Sequence, residues 1–521
     1  VRKRTLISGA VAVTAAGAIT IAGTMVAQAQ ETGDAALASA IDAILTDKRL
    51  TDSQIGVTVA DANTGEVLYE HGGAKRAIPG SNDKLTTTAA ALEALGGDFT
   101  YSTEVAGDRP TDGVVAGDLY LRGHGDPTVL ESDYDQMAED LAALGVSTID
   151  GDLVADDTAF DAIRSGTEWG WEDLQYTYAA EVSALTVASG NDFNAGSVRV
   201  FIKPGAAAGD PAQISLSPAT DYVEIVNNAT TGTTNSVTVN RDPHDNVIRI
   251  SGTVKAGTSG TYATRSVIEP TRLAADVFAD SLEDAGITVN GDVRFGETTP
   301  QGLETLATHE SMPLSELTGV ILKPSNASVA EALFKTLGYE ASGKGTFASG
   351  KAAVYAAIEP YGVDTGPIRQ VDGSGISRHN LFTTNMLADL LVGAKDAAWF
   401  DTWYSALPIA CKDGTLASRM CSTPAADNVR AKTGSMTSVS ALSGYVTDAD
   451  GRELVFSIMV NDFLYSTVKD IEDKIAAAIA AHTESSTEAE TMRSANVDDI
   501  EMPEEDPNHN LECSWVEPAV C

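Results

Sequence analysis

Ile78-Pro79-Gly80-Ser81-Asn82-Asp83-Lys84-Leu85-Thr86-Thr87-Thr88-Ala89-Ala90-Ala91-Leu92 is a Pro-Gly turn that runs into a helix-forming stretch ending at Gly96-Gly97. The pattern places Ser81 at or just before the first helical turn and Lys84 three positions on, so the two side chains share one helix face. A hydroxyl and an amine held together need no histidine: a neutral amine takes the hydroxyl proton as attack begins. The helix N-terminus supplies free N–H groups and partial positive charge, which favour an oxyanion and lower an amine's proton affinity. S-x-x-K is a short pattern, and it recurs at Ser466-Thr467-Val468-Lys469, where a serine capping a C-terminal helix accounts for it.

Outward from that stretch, bulk properties narrow the field. A chain of 521 residues is too long for one compact core and implies two to four domains. Its 43% hydrophobic and 21% charged content is that of a globular protein. Acidic residues outnumber basic ones 74 to 34, for a net charge of −40, so phosphate-rich partners are repelled and no nucleic-acid role is expected. Val1-Arg2-Lys3-Arg4, an apolar small-residue run and Ala27-Gln28-Ala29 read as a secretory signal peptide over 1–29. The expected location is therefore extracytoplasmic, in association with the cell wall. The four cysteines, Cys411, Cys421, Cys513 and Cys521, allow three disulfide connectivities. Pairing of near neighbours, Cys411 with Cys421 and Cys513 with Cys521, is expected of an exported chain. Neither pair has zinc-ligand spacing, and no metal or cofactor is expected.

Helical periodicity over 35–50 precedes two alternating runs, 55–60 and 67–70, joined by the turn Asp61-Ala62-Asn63-Thr64-Gly65. From about 101 to 300 the chain is rich in Gly, Asp, Thr and Val, with short strand-like runs and helices near 134–144 and 270–285. Helical texture returns at 313. Lys323-Pro324-Ser325-Asn326-Ala327-Ser328 leads into a helix, and Val371-Asp372-Gly373-Ser374-Gly375-Ile376-Ser377-Arg378-His379-Asn380 is a polar glycine loop. Arg430-Ala431-Lys432-Thr433-Gly434-Ser435-Met436 precedes a hairpin of strands at 439–446 and 453–460, and a last helix spans 466–482. The acidic stretch 483–521 reads as a disordered tail.

Lys432-Thr433-Gly434 at a strand start, an S-x-x-K helix and Ser325 between them in sequence resemble the signature of penicillin-recognising serine acyltransferases. With the long insertion between the first two motifs, the chain resembles the D-alanyl-D-alanine carboxypeptidase/endopeptidase family, the three-domain class C low-molecular-mass penicillin-binding proteins. Gly123-His124-Gly125-Asp126-Pro127-Thr128, Tyr178-Ala179-Ala180-Glu181-Val182-Ser183-Ala184-Leu185, Asp372 to Arg378 and Gly414-Thr415-Leu416-Ala417-Ser418-Arg419 extend the likeness over about 40–482. The resemblance implies an α/β (α+β) fold: a β-lactamase/transpeptidase-like domain, its antiparallel sheet flanked by helices, interrupted by nested mostly-β inserted domains. The expected division is 30–103 with 306–482 for the catalytic domain, 104–179 with 271–305 for a second, and 180–270 for a third.

The resemblance also implies an acyl-enzyme mechanism on peptidoglycan stem peptides, with β-lactam antibiotics as acylating inhibitors. Ser81 is then the nucleophile, Lys84 its base, and Ser325 and Lys432 further catalytic groups. Thr433 and Gly434 bind the substrate's terminal carboxylate and backbone, and the N–H groups of Ser81 and Ser435 form the oxyanion hole. Arg378, Met436 and Asp161 are counterparts of groups that read a diaminopimelate stem. One departure matters. The family's S-x-N-x-x-A-E reads Ser325-Asn326-Ala327-Ser328-Val329-Ala330-Glu331 here, with Ala327 where the asparagine stands. Either Asn326 swings into its place or a water substitutes; failing both, losing a buried hydrogen bond costs about 1–3 kcal/mol, or roughly 5–150-fold in rate.

Two rivals share the signature: a catalytically weakened wall protein, marked by Ala327, and a slow β-lactamase, for which the chain offers no identifiable deacylating glutamate. Gly338-Tyr339-Glu340-Ala341-Ser342-Gly343-Lys344-Gly345 approaches a P-loop but lacks its terminal Ser/Thr, and neither H-E-x-x-H nor G-x-S-x-G occurs.

Overall fold

The computed structural model describes residues 34–500. The segment 1–29 expected to be a signal peptide, and the expected pair Cys513 and Cys521, lie outside the described residues. Its central element is a five-stranded antiparallel sheet in the order Arg430–Met436, Val439–Thr447, Glu453–Asn461, Gln54–Asp61, Val67–His71. The first-formed hairpin thus pairs with the last three strands, Gln54 opposite Asn461 and Asp61 opposite Leu454. Alternation splits the strand side chains between two cores. Val57, Val59, Leu442, Phe456 and Ile458 pack with the helices Asp34–Ile44 and Lys469–Ala481 on one face. Ala441, Tyr445, Val455 and Met459 meet the helices Asp83–Leu95, Leu314–Leu322, Ala327–Ser342 and Thr384–Ala394 on the other. A sheet covered on both faces explains why the two long C-terminal strands are buried at nearly every position.

Between the first helix of the site and Leu314 the chain builds a second body. Its five-stranded sheet runs Val293–Phe295, Leu153–Asp156, Leu119–Gly123, Ser102–Gly107, Glu304–Glu310. Two of its pairings are parallel, Leu119–Gly123 with Leu153–Asp156 and the latter with Val293–Phe295, which requires crossovers. The helix Glu131–Ala143 makes the first of these, and Pro270–Asp284 packs beside it. Two three-stranded sheets from 197–266 fall inside this segment in sequence. Val105, Phe278, Val198 and Ile250 belong to one continuous apolar cluster.

The structure alters some local expectations. The last helix starts at Lys469, with Thr467 Oγ1 accepting from Lys469 N–H, so Ser466 is not its cap. Of the stretch expected as a disordered tail, 483–500 folds: Glu488–Ser494 is a helix closed by a Thr487/Glu490 capping box, and Ala495 packs into the outer core. The near-P-loop is a helix end, Gly343 being the left-handed C-cap of Ala327–Ser342. Cys411 and Cys421 are disulfide-bonded, with Cα atoms 4.7 Å apart.

Candidate active site

Ser81 lies in a single 3-10 turn, Gly80–Asn82, that feeds directly into the helix Asp83–Leu95. The turn is wedged between two backbones, and glycine permits both approaches. A Cβ on Gly434 of the edge strand would lie 2.6 Å from Pro79 O and 2.9 Å from Ser81 N. A Cβ on Gly375, where φ is +88°, would lie 1.9 Å from Gly80 O. Side chains at either position would force the strand or the loop off the turn that carries Ser81.

Lys84 Nζ stands 2.5 Å from Ser81 Oγ and donates to Ser374 O at 2.8 Å. Ser81, Lys84 and Lys432 are fully buried. Lys432 Nζ donates to Ser325 Oγ at 2.9 Å, and Ser325 holds the left-handed conformation, φ +68°. A serine there costs on the order of 1–3 kcal/mol, a strain that the surrounding contacts must hold. Thr433 Oγ1 donates to Thr415 Oγ1 at 2.8 Å. Thr415 rides on the loop closed by the Cys411–Cys421 disulfide and anchored by Lys323, whose ammonium bonds both oxygens of Asp413 at 2.7 Å. The structure therefore brings together Ser81, Lys84, Ser325, Lys432, Thr433, Gly434 and the Ser435 backbone, from three separated stretches.

Asn326 does not join them. It caps the helix Ala327–Ser342: its Oδ1 accepts from Val329 N–H at 3.0 Å, and its Nδ2 donates to Asp192 O and Phe193 O at 2.9 and 3.2 Å. With both ends of the amide engaged, the expected swing toward Lys84 is corrected. Ala327 itself packs among Phe160, Trp169, Tyr178 and Ile376, an apolar patch.

Arg378 and Met436 line a cavity of about 110 Å³ together with Glu168, Asp173, Tyr178 and Thr437. Tyr178 Oη donates to Asp173 Oδ1 at 2.8 Å, and Arg378 Nη2 donates to Thr437 O at 2.9 Å. Asp161 is absent from this lining. Its carboxylate pairs at 2.7 Å with the buried Lys335, and it borders a separate cavity with Asp157, Arg164 and Arg272. The acids beside Arg378 are Glu168 and Asp173, which nothing in the sequence distinguishes from neighbouring loop carboxylates.

Behind the site the loop 372–377 is held by buried acids. Glu331 accepts from Gly373 N–H and Ser374 N–H at 3.1 and 2.8 Å, and Asp372 accepts from Gly375 N–H at 3.0 Å. Burial, reinforced by the charge of Asp372, pushes Glu331 up to about 8 and Asp83 well above the carboxylate range.

A sheet with an edge K-T-G strand beside a serine–lysine helix defines a penicillin-recognising acyltransferase fold. Comparison with known proteins narrows that class. The chain belongs to the D-Ala-D-Ala carboxypeptidase 3 (S13) family, whose model matches residues 37–482. It is 42% identical over 489 residues to a D-alanyl-D-alanine carboxypeptidase of Actinomadura sp., covering 92% of this chain and 89% of the relative. A D-alanyl-D-alanine carboxypeptidase of Haemophilus influenzae is 28% identical over 443 residues, covering 83% and 90%. The crystal structure of penicillin binding protein 4 from that organism superposes with a TM-score of 0.72 at 25% identity, covering 84% of this chain and 97% of that one.

Proposed function

We propose that this chain is a serine D-Ala-D-Ala carboxypeptidase that acts on peptidoglycan stem peptides through an acyl-enzyme and is acylated by penicillins at the same serine. The observation that carries the reading is the 2.5 Å approach of Lys84 Nζ to Ser81 Oγ alongside the Lys432–Ser325 pair. Lys84 takes the Ser81 proton as Oγ attacks the carbonyl of the penultimate D-Ala. The N–H groups of Ser81 and Ser435 receive the oxyanion, and removal of one such donor costs about 10²–10³ in rate. The bond to the terminal D-Ala breaks, its nitrogen taking a proton through the Ser325 hydroxyl that Lys432 holds. Water then enters, and the ester is cleaved to free acid and serine.

Lys432 and Thr433 supply cation and hydroxyl for the terminal carboxylate. Arg378 with Glu168 and Asp173 offers one cation and two anions for a stem side chain that ends in a zwitterion, as a diaminopimelate centre does. The same cleft admits a cross-linked stem, which makes D,D-endopeptidase action part of the proposal. Incubation with a fluorescent penicillin and digestion of purified sacculi test it. Wild type is expected to give an adduct mapping to Ser81 and to release D-Ala, and Ser81→Ala to do neither. Absence of a wild-type adduct, or rapid turnover of a chromogenic cephalosporin, contradicts the reading.

A further inference from the structure

Lys84 has to present a lone pair to Ser81, and one nitrogen can do so only if its hydrogens are aimed elsewhere. A neutral amine has two hydrogens and one lone pair. Ser374 O takes one hydrogen at 2.8 Å. The side chain at 327 is a methyl in an apolar cluster, and Asn326 is turned to Asp192 and Phe193, so no amide from the S-x-N segment shares the work. The direction of the lone pair therefore depends on the Ser374 carbonyl.

That carbonyl belongs to the Ser374–Gly375 peptide, whose N–H donates to Asp372 Oδ1 at 3.0 Å. One planar amide thus links a carboxylate to the lysine: Asp372 at its N–H end, Lys84 at its C=O end. Asp372 is surrounded by donors: Gly375 N–H and Asn380 Nδ2 on Oδ1, at 3.0 and 2.6 Å, and Ser377 N–H and Trp169 Nε1 on Oδ2, at 2.7 and 2.9 Å. Four donors around one group are the complement of an ionised carboxylate. The preceding amides, Gly373 and Ser374, are held by Glu331. Thr87 Oγ1, one turn along the nucleophile helix from Lys84, donates to Gly373 O at 2.8 Å.

We propose that Asp372 is a positioning residue for the acylation step, acting on Lys84 through the Ser374–Gly375 peptide and supplying the orientation that Ala327 leaves unprovided. The inference rests on the acyl-enzyme reading above. An anion on the N–H side polarises the amide, makes its carbonyl a stronger acceptor and raises the proton affinity of the amine it holds. The other ionisable groups around it are Asp83 on the nucleophile helix and Glu331 and Lys335 on the helix Ala327–Ser342, Lys335 being bonded to Asp161. Burial and the charge of Asp372 push both neighbouring carboxyls up, Asp83 well above the carboxylate range and Glu331 to about 8.

The experiment is the second-order rate of β-lactam acylation against pH for wild type, Asp372→Asn and Trp169→Phe, with kcat and KM for D-Ala release. Asp372→Asn is expected to slow acylation about 10–100-fold with KM little changed, the scale of a misaligned catalytic contact. Removing the anion weakens the Ser374 carbonyl as an acceptor, so the limb on which rate rises with pH moves down. Trp169→Phe removes the indole N–H donated to Asp372 together with part of the bicycle that packs on Phe347, so the carboxylate shares less of its charge and the same limb moves up. Shifts of opposite sign are not produced by loosened packing. If Asp372→Asn does not fold, the upward shift in Trp169→Phe decides alone. Unmoved limbs in the folded variants overturn the inference, whereas failure of wild type to form any Ser81 adduct overturns the reading beneath it.

Discussion

Ser81 and Lys84 show how much a spacing conveys: three positions on a helix start place two side chains on one face, and the structure has them 2.5 Å apart. Lys432-Thr433-Gly434 is legible for a similar reason, since a strand next to a glycine turn needs a glycine of its own. We expect Gly434→Ala to cut penicillin acylation by about 100-fold or more, because the new methyl displaces the strand that carries the Ser435 N–H. Stopped-flow acylation of the folded variant is the check, alongside a thermal midpoint that the displaced strand is expected to lower. Ala327→Asn is expected to lower stability by about 1–3 kcal/mol, because it puts an amide among Phe160, Trp169 and Tyr178; denaturant melts measure it. The sequence was less informative about Asn326 and Asp161. An asparagine ahead of a helix serves equally as a cap or as a cleft ligand, and capping won here because Val329 N–H has no other acceptor in its helix. Asp161 lies on irregular backbone and Asp173 opens a single 3-10 turn, Asp173–Gln175, and neither setting has a periodicity to read, so only the tertiary structure tells which of them lines the cavity with Arg378.

Among the elements, the loop 411–421 does the most with least regular structure. It presents Thr415 to Thr433, and its geometry is maintained by the disulfide and by Lys323–Asp413. Replacing both cysteines with serine is expected to cost about 2–3 kcal/mol of stability, and to raise KM for the D-Ala-D-Ala substrate more than it lowers kcat. Calorimetry and steady-state kinetics read the two effects. The buried carboxyls under the loop 372–377 predict a pH dependence. Glu331 is raised in the folded chain from an ordinary value of 4.5 to about 8. Between those values the native state keeps a proton that the unfolded chain has released, so stability falls as pH rises through this window and levels off above it. Melting temperatures from pH 5 to 9 are expected to show that slope, and Glu331→Gln to flatten it. The helix Glu488–Ser494 was overlooked because its composition is that of a solvated tail. The Thr487-x-x-Glu490 box was there to be read, but a short capped turn is persuasive only once Ala495 has a core to enter.

For the molecule as a whole, texture along the chain suggests an inserted segment but says nothing of how firmly its parts are joined. The inner sheets of 197–266 and the outer sheet share one apolar cluster, through Val198 and Ile250 on one side and Val105 and Phe278 on the other. Deleting 197–266 is therefore expected to expose that cluster and give aggregated protein, which size-exclusion chromatography reports. Parallel pairing in the outer sheet was invisible to periodicity, since strands of three to five residues read alike whichever way their neighbours run. The charge of −40 acts at this scale too. Self-repulsion is screened by salt, so the melting temperature is expected to rise from low to physiological ionic strength.

The pairing of Gln54–Asp61 with Glu453–Asn461 has a temporal meaning. A ribosome completes the nucleophile's helix long before it reaches the strand bearing Lys432, and the sheet that unites them cannot close until Asn461 has emerged. For most of its synthesis the polypeptide carries Ser81 without Lys432 beside it. Assembly of the site waits on Asn461, and a product truncated ahead of Arg430 is expected to form no penicillin adduct however well its earlier parts have folded.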